Sequence, residues 1–206
     1  MLSKIWRELK RPRYHVKRWF VLSISIILLL LFYSFRNTSF LVRAISAILL
    51  LLAFYAADHI FYLKFKSHHY LYILIIASTG ALFSPLYYIY SSYDKVLHFI
   101  LPIMLSSIFF FMISRLQLES KWKLVFTFFT VLGSLALFEI GEFALDYFFN
   151  LKLQGVFLRS IQGLEKYSLI LDRNDDTMID LIFGVLGSFA YFLTRLFTLK
   201  KISEYG

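Results

Sequence analysis

The chain is 206 residues long, 59% hydrophobic and 17% charged, with 24 phenylalanines, no cysteine and a net charge of +9. Soluble domains carry roughly 45–50% apolar and about 25% charged residues, so this composition excludes a soluble enzyme, a disordered regulator and a nucleic-acid module. The absence of cysteine excludes a disulfide scaffold, a cysteine-ligated metal site and a thiol nucleophile. In so apolar a chain the positive charge is that of basic loops on the cytoplasmic side of a membrane.

The basic segment 1–18 holds Lys4, Arg7, Lys10, Arg11, Arg13, Lys17 and Arg18, and is expected to lie as a surface helix on anionic lipid. A crossing needs roughly 20 apolar residues. Six runs qualify: Trp19–Phe35, Phe40–Leu63, Tyr70–Tyr90, Lys95–Ile113, Leu124–Phe148 and Thr177–Leu199. The first is read as a retained anchor, since it follows a basic leader and no small-x-small cleavage site follows Phe35. Asp58, His59, His68 and His69 fall near the inner face and are read as interfacial. Pro85 and Pro102 are expected to kink the third and fourth spans, with Ser84 and Ser106 satisfying the freed backbone groups. The longest connection, Asn150–Asp175, carries Gly155 and Gly163 among apolar residues such as Val156, Phe157 and Leu171, too apolar for a free loop. It is expected to be a half-buried outer lid. The organisation is thus a basic segment 1–18, a six-span domain 19–199 with residues 149–175 as lid, and a tail 200–206. The fold class is all-α, a polytopic membrane helical bundle. Alternating the spans with the basic N-terminus inside also puts Arg115, Lys121, Lys123, Arg195, Lys200 and Lys201 inside. That is the sense of the positive-inside rule, and both termini come out cytoplasmic in a multi-pass protein of the plasma (inner) membrane.

The acids follow the opposite pattern and gather at three helix ends. Asp94 and His98 stand four apart where the fourth span begins. Glu139, Glu142 and Asp146 stand at i, i+3 and i+7 where the fifth ends, and Asp176 and Asp180 four apart where the sixth begins. Residues three and four apart share a helical face. At 1.5 Å per residue, His98 and Asp180 lie about 6 Å past the first acid of their helices, and Glu139 about 10 Å inward of Asp146. These groups are placed to line one cavity open to the outside. A charge at mid-bilayer costs about 2.5–3.5 kcal/mol on insertion scales, and acids at the C-terminus of the fifth span oppose its macrodipole. Something positive must compensate. Carboxylates with one imidazole are suitable ligands for Mg²⁺, Mn²⁺ or Zn²⁺; Lys95, Arg159 or Arg173 are the alternative counter-ions. A plainer account makes Asp94, Asp175 and Asp176 N-caps, and leaves Glu142 and Asp146 at the water surface. It does not explain His98, Glu139 or Asp180, each a turn or more inside apolar sequence. Gly184 and Gly187 continue the stripe of Asp176 and Asp180 and are expected to let a neighbouring helix approach closely.

Over residues 93–188 the string Tyr93-Asp94-Lys95-Val96-Leu97-His98-Phe99, then Glu139-x-x-Glu142, then Asp176-Thr177-Met178-Ile179-Asp180-Leu181 with Gly184 and Gly187, resembles the YjdF-like and VanZ-like membrane proteins. The resemblance implies a small polytopic protein of the prokaryotic cell envelope with a polar outward site on Asp94, His98, Glu139, Glu142, Asp176 and Asp180. VanZ-like proteins are associated with resistance to glycopeptide antibiotics. Glu142 stands where they commonly carry glutamine, which favours the YjdF-like side.

The functional expectation is a metal-dependent enzyme acting on a lipid-linked or envelope substrate within membrane lipid, with no nucleic-acid partner. Asp94, His98, Glu139, Glu142, Asp176 and Asp180 would hold a divalent metal acting as Lewis acid or activating water. Asp146, with Glu142, is the candidate catalytic carboxylate. The alternatives are a proton- or ion-linked carrier, against which stand the apolar inner halves of the last three spans, and a structural or accessory protein whose acids form an ion-pair network.

Overall fold

A computed structural model describes residues 12–35, 38–149, 153–159 and 167–205. Most of the basic N-terminal segment, with Lys4, Arg7, Lys10, Arg11 and Trp6, lies outside the described residues, as do Gly163 and Glu165. The chain forms two compact units, residues 1–84 and 85–206.

The first unit holds α1 (Pro12–Phe35), α2 (Thr38–Ile60) and α3 (Ser67–Ala77), the last running into a π-helical turn (Ser78–Leu82). Here α2 packs against α1 on one side and α3 on the other. The small residues Ala44, Ala47 and Ala77 let the helices close around Leu28, with Ile24, Phe40 and Ile48 filling the margins. Asp58, expected near the inner face, is fully buried within the unit, as are His59 and His69, whereas His68 is exposed. The Asp58 carboxylate accepts hydrogen bonds from Lys17 Nζ (2.6 Å), the Tyr70 hydroxyl (2.7 Å) and the Phe65 backbone N–H (3.1 Å). A charge so far from water is tolerable only when paired and hydrogen-bonded in this way. To bring Phe65 there, the turn after α2 places Tyr62 and Lys64 in the left-handed region, at φ 53° and 54°. That conformation costs roughly 1–2 kcal/mol per residue. The Phe65 ring stacks on Phe54 at 4.5 Å, and the Leu63 N–H bonds the Asp58 carbonyl at 3.0 Å.

The expected third span, Tyr70–Tyr90, is not one helix. The α-helix ends at Ala77, the π-turn follows, and Ser84–Tyr88 is 3₁₀. The Thr79 hydroxyl bonds back to the Ile75 carbonyl at 2.8 Å, and the Phe83 N–H reaches Ser78 O at 2.9 Å, a five-residue step that widens the helix. Pro85 then disfavours helical geometry at Ser84 and offers no N–H of its own.

The second unit is a three-helix bundle of α4 (Tyr93–Ile113), α5 (Ser120–Phe149) and α6 (Arg173–Tyr205). Consecutive helices alternate in direction, and α6 packs against both others. The buried stripe of α5 is Leu124, Thr127, Val131, Leu135 and Glu139, four residues apart or nearly so, which carries the apolar core directly into an acid. The opposite face of α5 exposes large apolar groups such as Leu137 and Ile140. Among the described residues, four helical segments are long and apolar enough to cross a membrane: Phe40–Ile60, Tyr93–Ile113, Ser120–Phe149 and Arg173–Leu199. The architecture is the expected all-α membrane bundle. Its one addition is a two-stranded antiparallel hairpin, β1 (Val156–Arg159) with β2 (Tyr167–Leu171), within the expected lid. Pro102 lies inside α4, but Ser106 does not serve its freed backbone as expected: its Oγ is buried without a hydrogen-bond partner among the described residues.

Candidate functional site

The start of α4, the end of α5 and the start of α6 meet at one end of the second unit, where the sequence concentrates its acids. Two glycines bring the helices close enough. A Cβ on Gly187 would strike the carbonyl group of Phe99 in α4, and one on Gly184 would strike Leu135 of α5. The expected small-residue stripe is therefore where the helices approach closely, against a backbone at Gly187 and a side chain at Gly184.

Lys95 is the cation at the centre. Its Nζ lies 2.8 and 2.9 Å from the two Asp180 oxygens and 3.4 Å from Asp94 Oδ2, and it also donates to Asp176 Oδ1. Of the three cations expected as counter-ions, Lys95 takes the place; Arg173 is exposed, and the side chain of Arg159 lies outside the described residues. His98 Nε2 is 3.5 Å from Asp94 Oδ1 and 3.7 Å from Glu139 Oε1. Asp176, Asp180 and Glu139 are each less than 5% exposed. Glu139 Oε1 is buried with no hydrogen-bond partner among the described residues. Glu142, half-buried, lies within electrostatic reach of Glu139, Asp94, Asp180 and Asp176. Tyr87 comes within reach of Asp94, Glu142 and Asp180 from the 3₁₀ segment.

Capping does not account for these acids. The cap of α6 is Asp172, whose Oδ1 accepts the N–H groups of Asn174 (2.9 Å) and Asp175 (3.0 Å). Asp176 is thereby free for the cluster. At α4 the N-cap is Ser92, and Asp94 sits inside the first turn.

Asp146 stands apart from the metal-type geometry. Its oxygens accept the backbone N–H groups of Leu153 (2.8 Å) and Gln154 (3.0 Å). These two donors answer the unfavourable position of an acid at the C-terminus of α5. The next N–H, of Gly155, bonds Asp176 Oδ2 at 2.7 Å, and Gln154 Nε2 donates to Thr177 Oγ1 at 3.0 Å. The connection is thus tied by consecutive backbone groups to both helix ends. Gly155 adopts φ 91°, and a Cβ there would sit 3.2 Å from the Leu171 carbonyl oxygen, so glycine alone makes this path without strain. The sequence marks Gly155 only as part of the lid and gives no sign of Gln154; a glycine immediately before β1 is the signal that was there.

Among the described residues, one ammonium and one imidazole face Asp94, Glu139, Glu142, Asp176 and Asp180. Such an excess of carboxylate is relieved by protons or by a further cation. Donor atoms of Asp94, His98 and Asp180 all lie within 4.8 Å of one another, close enough to share one ion.

No curated protein and no solved structure matches the chain. A family model described as a predicted membrane protein (DUF2238) matches residues 16–201, which takes in both units and every residue of the acid cluster. By that match the chain belongs to the DUF2238 family of predicted membrane proteins.

Proposed function

We propose that the protein is a metal-dependent enzyme of the prokaryotic plasma membrane, acting on a lipid-linked or cell-envelope substrate from the outer face. The YjdF-like resemblance of residues 93–188 belongs to the same reading. One observation carries it: the gathered donors of Asp94, His98 and Asp180 lie beside a buried Glu139 oxygen that has no hydrogen-bond partner among the described residues. One nitrogen with several carboxylate oxygens suits Mn²⁺, Zn²⁺ or Mg²⁺. Such an ion supplies Lewis acidity. Glu139 is placed to accept a proton from the attacking group, and Glu142 is the second carboxylate within reach. Asp176 and Lys95 orient Asp180, and Asp146 anchors the lid, its oxygens being engaged by backbone donors. A second reading, a purely structural ion-pair network, draws support from the grip of Lys95 on Asp94, Asp176 and Asp180.

His98 bears on both readings, as a ligand in the first and as a neighbour of Asp94 and Glu139 in the second, so dependence on added metal is what separates them. Full-length protein is purified in detergent, wild type beside His98→Ala and Asp180→Ala. Bound metal is measured by elemental analysis, and unfolding is followed as Mg²⁺, Mn²⁺ or Zn²⁺ is added. Stoichiometric metal in the wild type is expected, with affinity at least about tenfold weaker in His98→Ala. Its metal-free midpoint should fall, since a buried imidazole is removed from Asp94 and Glu139, so the rise of the midpoint on adding metal is the readout. Absence of metal, with no stabilisation by any of the three ions, sinks the metalloenzyme. Lys95→Met tests the network, which would lose about 3–5 kcal/mol when one partner of a buried pair is removed.

A further inference from the structure

We propose that the β1–β2 hairpin beside the acid cluster docks into the phospholipid leaflet at that end of the bundle, with Leu169 and Ile170 seated among the lipids. The hairpin is fixed at its base. The N–H groups of Leu153 and Gln154 bond Asp146 of α5, and that of Gly155 bonds Asp176 of α6. Its depth therefore follows that of two helices long and apolar enough to cross a membrane. The crossing segment of α6, Arg173–Leu199, runs 27 residues, about 40 Å. The hydrocarbon core is roughly 30 Å thick, and about 40–45 Å with its headgroups, so α6 begins at headgroup level. Ile170 precedes that helix by three residues, a reach of about 10 Å.

At that level the hairpin turns apolar groups outward. Val156 pairs with Leu171 and Phe157 with Leu169, which leaves Ile170 as the extra residue of a bulge. A bulge breaks the alternation of a strand and re-aims its side chains. Leu169 and Ile170, adjacent in sequence, are accordingly both open, at 55% and 56% exposure, while Val156 is buried. Arg159 is the single charged residue on the two strands. The last turn of α5, next to the bonded Asp146, ends in three exposed aromatics, Tyr147, Phe148 and Phe149. Such rings collect at the membrane–water interface, and the open edge of the hairpin continues their surface. Two aliphatic side chains fall far short of the roughly 800 Å² per partner that a stable protein interface buries. Seated in the leaflet, the lid lies in the layer that holds the headgroups of lipid-linked molecules. The docking itself does not depend on the acid cluster being an enzyme.

Single nitroxide labels test this, since the chain has no cysteine of its own. Leu169→Cys and Ile170→Cys are labelled in the full-length protein beside two references. Phe129→Cys is exposed midway along α5, and Gln117→Cys is exposed in the turn between α4 and α5. Each is reconstituted in phosphatidylcholine vesicles. Relaxation of the label by oxygen, which concentrates in lipid, is compared with relaxation by a water-soluble nickel chelate. Both hairpin labels are expected about 5–10 Å into the headgroup–acyl boundary, between the two references. Nickel access equal to that at Gln117 overturns the proposal. Loss of access to both reagents, with spin–spin broadening, gives the edge to a second copy of the chain and also overturns it. The wild type supplies a second measurement that no substitution can disturb. Phosphatidylcholine with a diazirine on its acyl chain should cross-link to peptides containing Tyr167–Leu171. Cross-linking confined to the helices overturns the proposal.

Discussion

His69 Nδ1 accepts the Lys66 backbone N–H at 3.2 Å, and its Nε2 meets His68 Nε2 at 3.0 Å. An imidazolium has no acceptor, so the bond from Lys66 exists only while His69 is neutral. Burial, reinforced by His68, Lys66 and Lys17, pushes His69 down to about 4 from its ordinary value of 6.5. Between those values the unfolded chain binds a proton that the folded chain refuses. Stability from this group is therefore whole above pH 6.5 and falls as the pH drops toward 4, by at most about 1.4 kcal/mol per pH unit. His69→Asn keeps an acceptor near Lys66 and removes the titration. Thermal unfolding in detergent between pH 7 and pH 4 should show a shallower decline for the variant than for the wild type; parallel declines would remove His69 from the account. Nothing local in the sequence revealed this neighbourhood. Lys17, Asp58 and Tyr70 stand on three different helices, and a side-chain pairing between elements leaves no periodic trace. The acids of the second unit were legible because each set repeats at helical spacing inside apolar sequence. Lys95 was legible as one of three counter-ions; that it, and not the exposed Arg173, reaches the acids depends on which helix face turns inward.

At the scale of elements, close approach decides more than propensity. Gly187 meets the Phe99 carbonyl group across the α4–α6 contact, and the obstacle there is backbone, which cannot swing aside as a side chain can. Gly133, midway along α5, has nothing within 4 Å of a Cβ position. Gly187→Ala should therefore lower the stability of the second unit by about 1–3 kcal/mol through overpacking. Gly133→Ala should be neutral or slightly stabilising, since alanine is the better helix former by roughly 0.5–1 kcal/mol. Thermal midpoints of the two variants, each against the wild type, check this; equal midpoints would mean that the helices part without penalty. The glycine pair was readable from its place on the Asp176–Asp180 stripe. Helix ends were less so. Asp172, Asp175 and Asp176 crowd the start of α6, each a good cap by type, and the hydrogen bonds of Asn174 and Asp175 single out Asp172. The run Tyr70–Tyr90 has the composition of a span, and hydropathy averages over the one hydroxyl and the one proline that end its helix.

At the scale of the molecule, the two ends of the second unit carry opposite chemistry. Asp94, Glu142, Asp176 and Asp180 gather at one, and Arg115, Lys121, Lys123 and Arg195 lie toward the other, with apolar helix between. In a membrane this dipolar distribution sets orientation, because lysine and arginine near span ends are retained on the cytoplasmic side. The chain has no cysteine, so a single introduced thiol reports one position without background. Ser91, exposed before α4, and Gln117, exposed in the turn between α4 and α5, mark the two ends. In intact cells or right-side-out vesicles, Ser91→Cys should react with a membrane-impermeant maleimide, and Gln117→Cys should react only after permeabilisation. The reverse pattern would place the acid cluster on the cytoplasmic face and redirect the search for its substrate to cytoplasmic lipid precursors. Reaction of both thiols in sealed membranes would mean that the α4 helix does not cross, despite a length that matches the roughly 30 Å hydrocarbon core. Orientation thus decides from which side of the membrane Asp94, His98 and Asp180 are reached, and the labelling pair tests it without needing to know whether a metal binds.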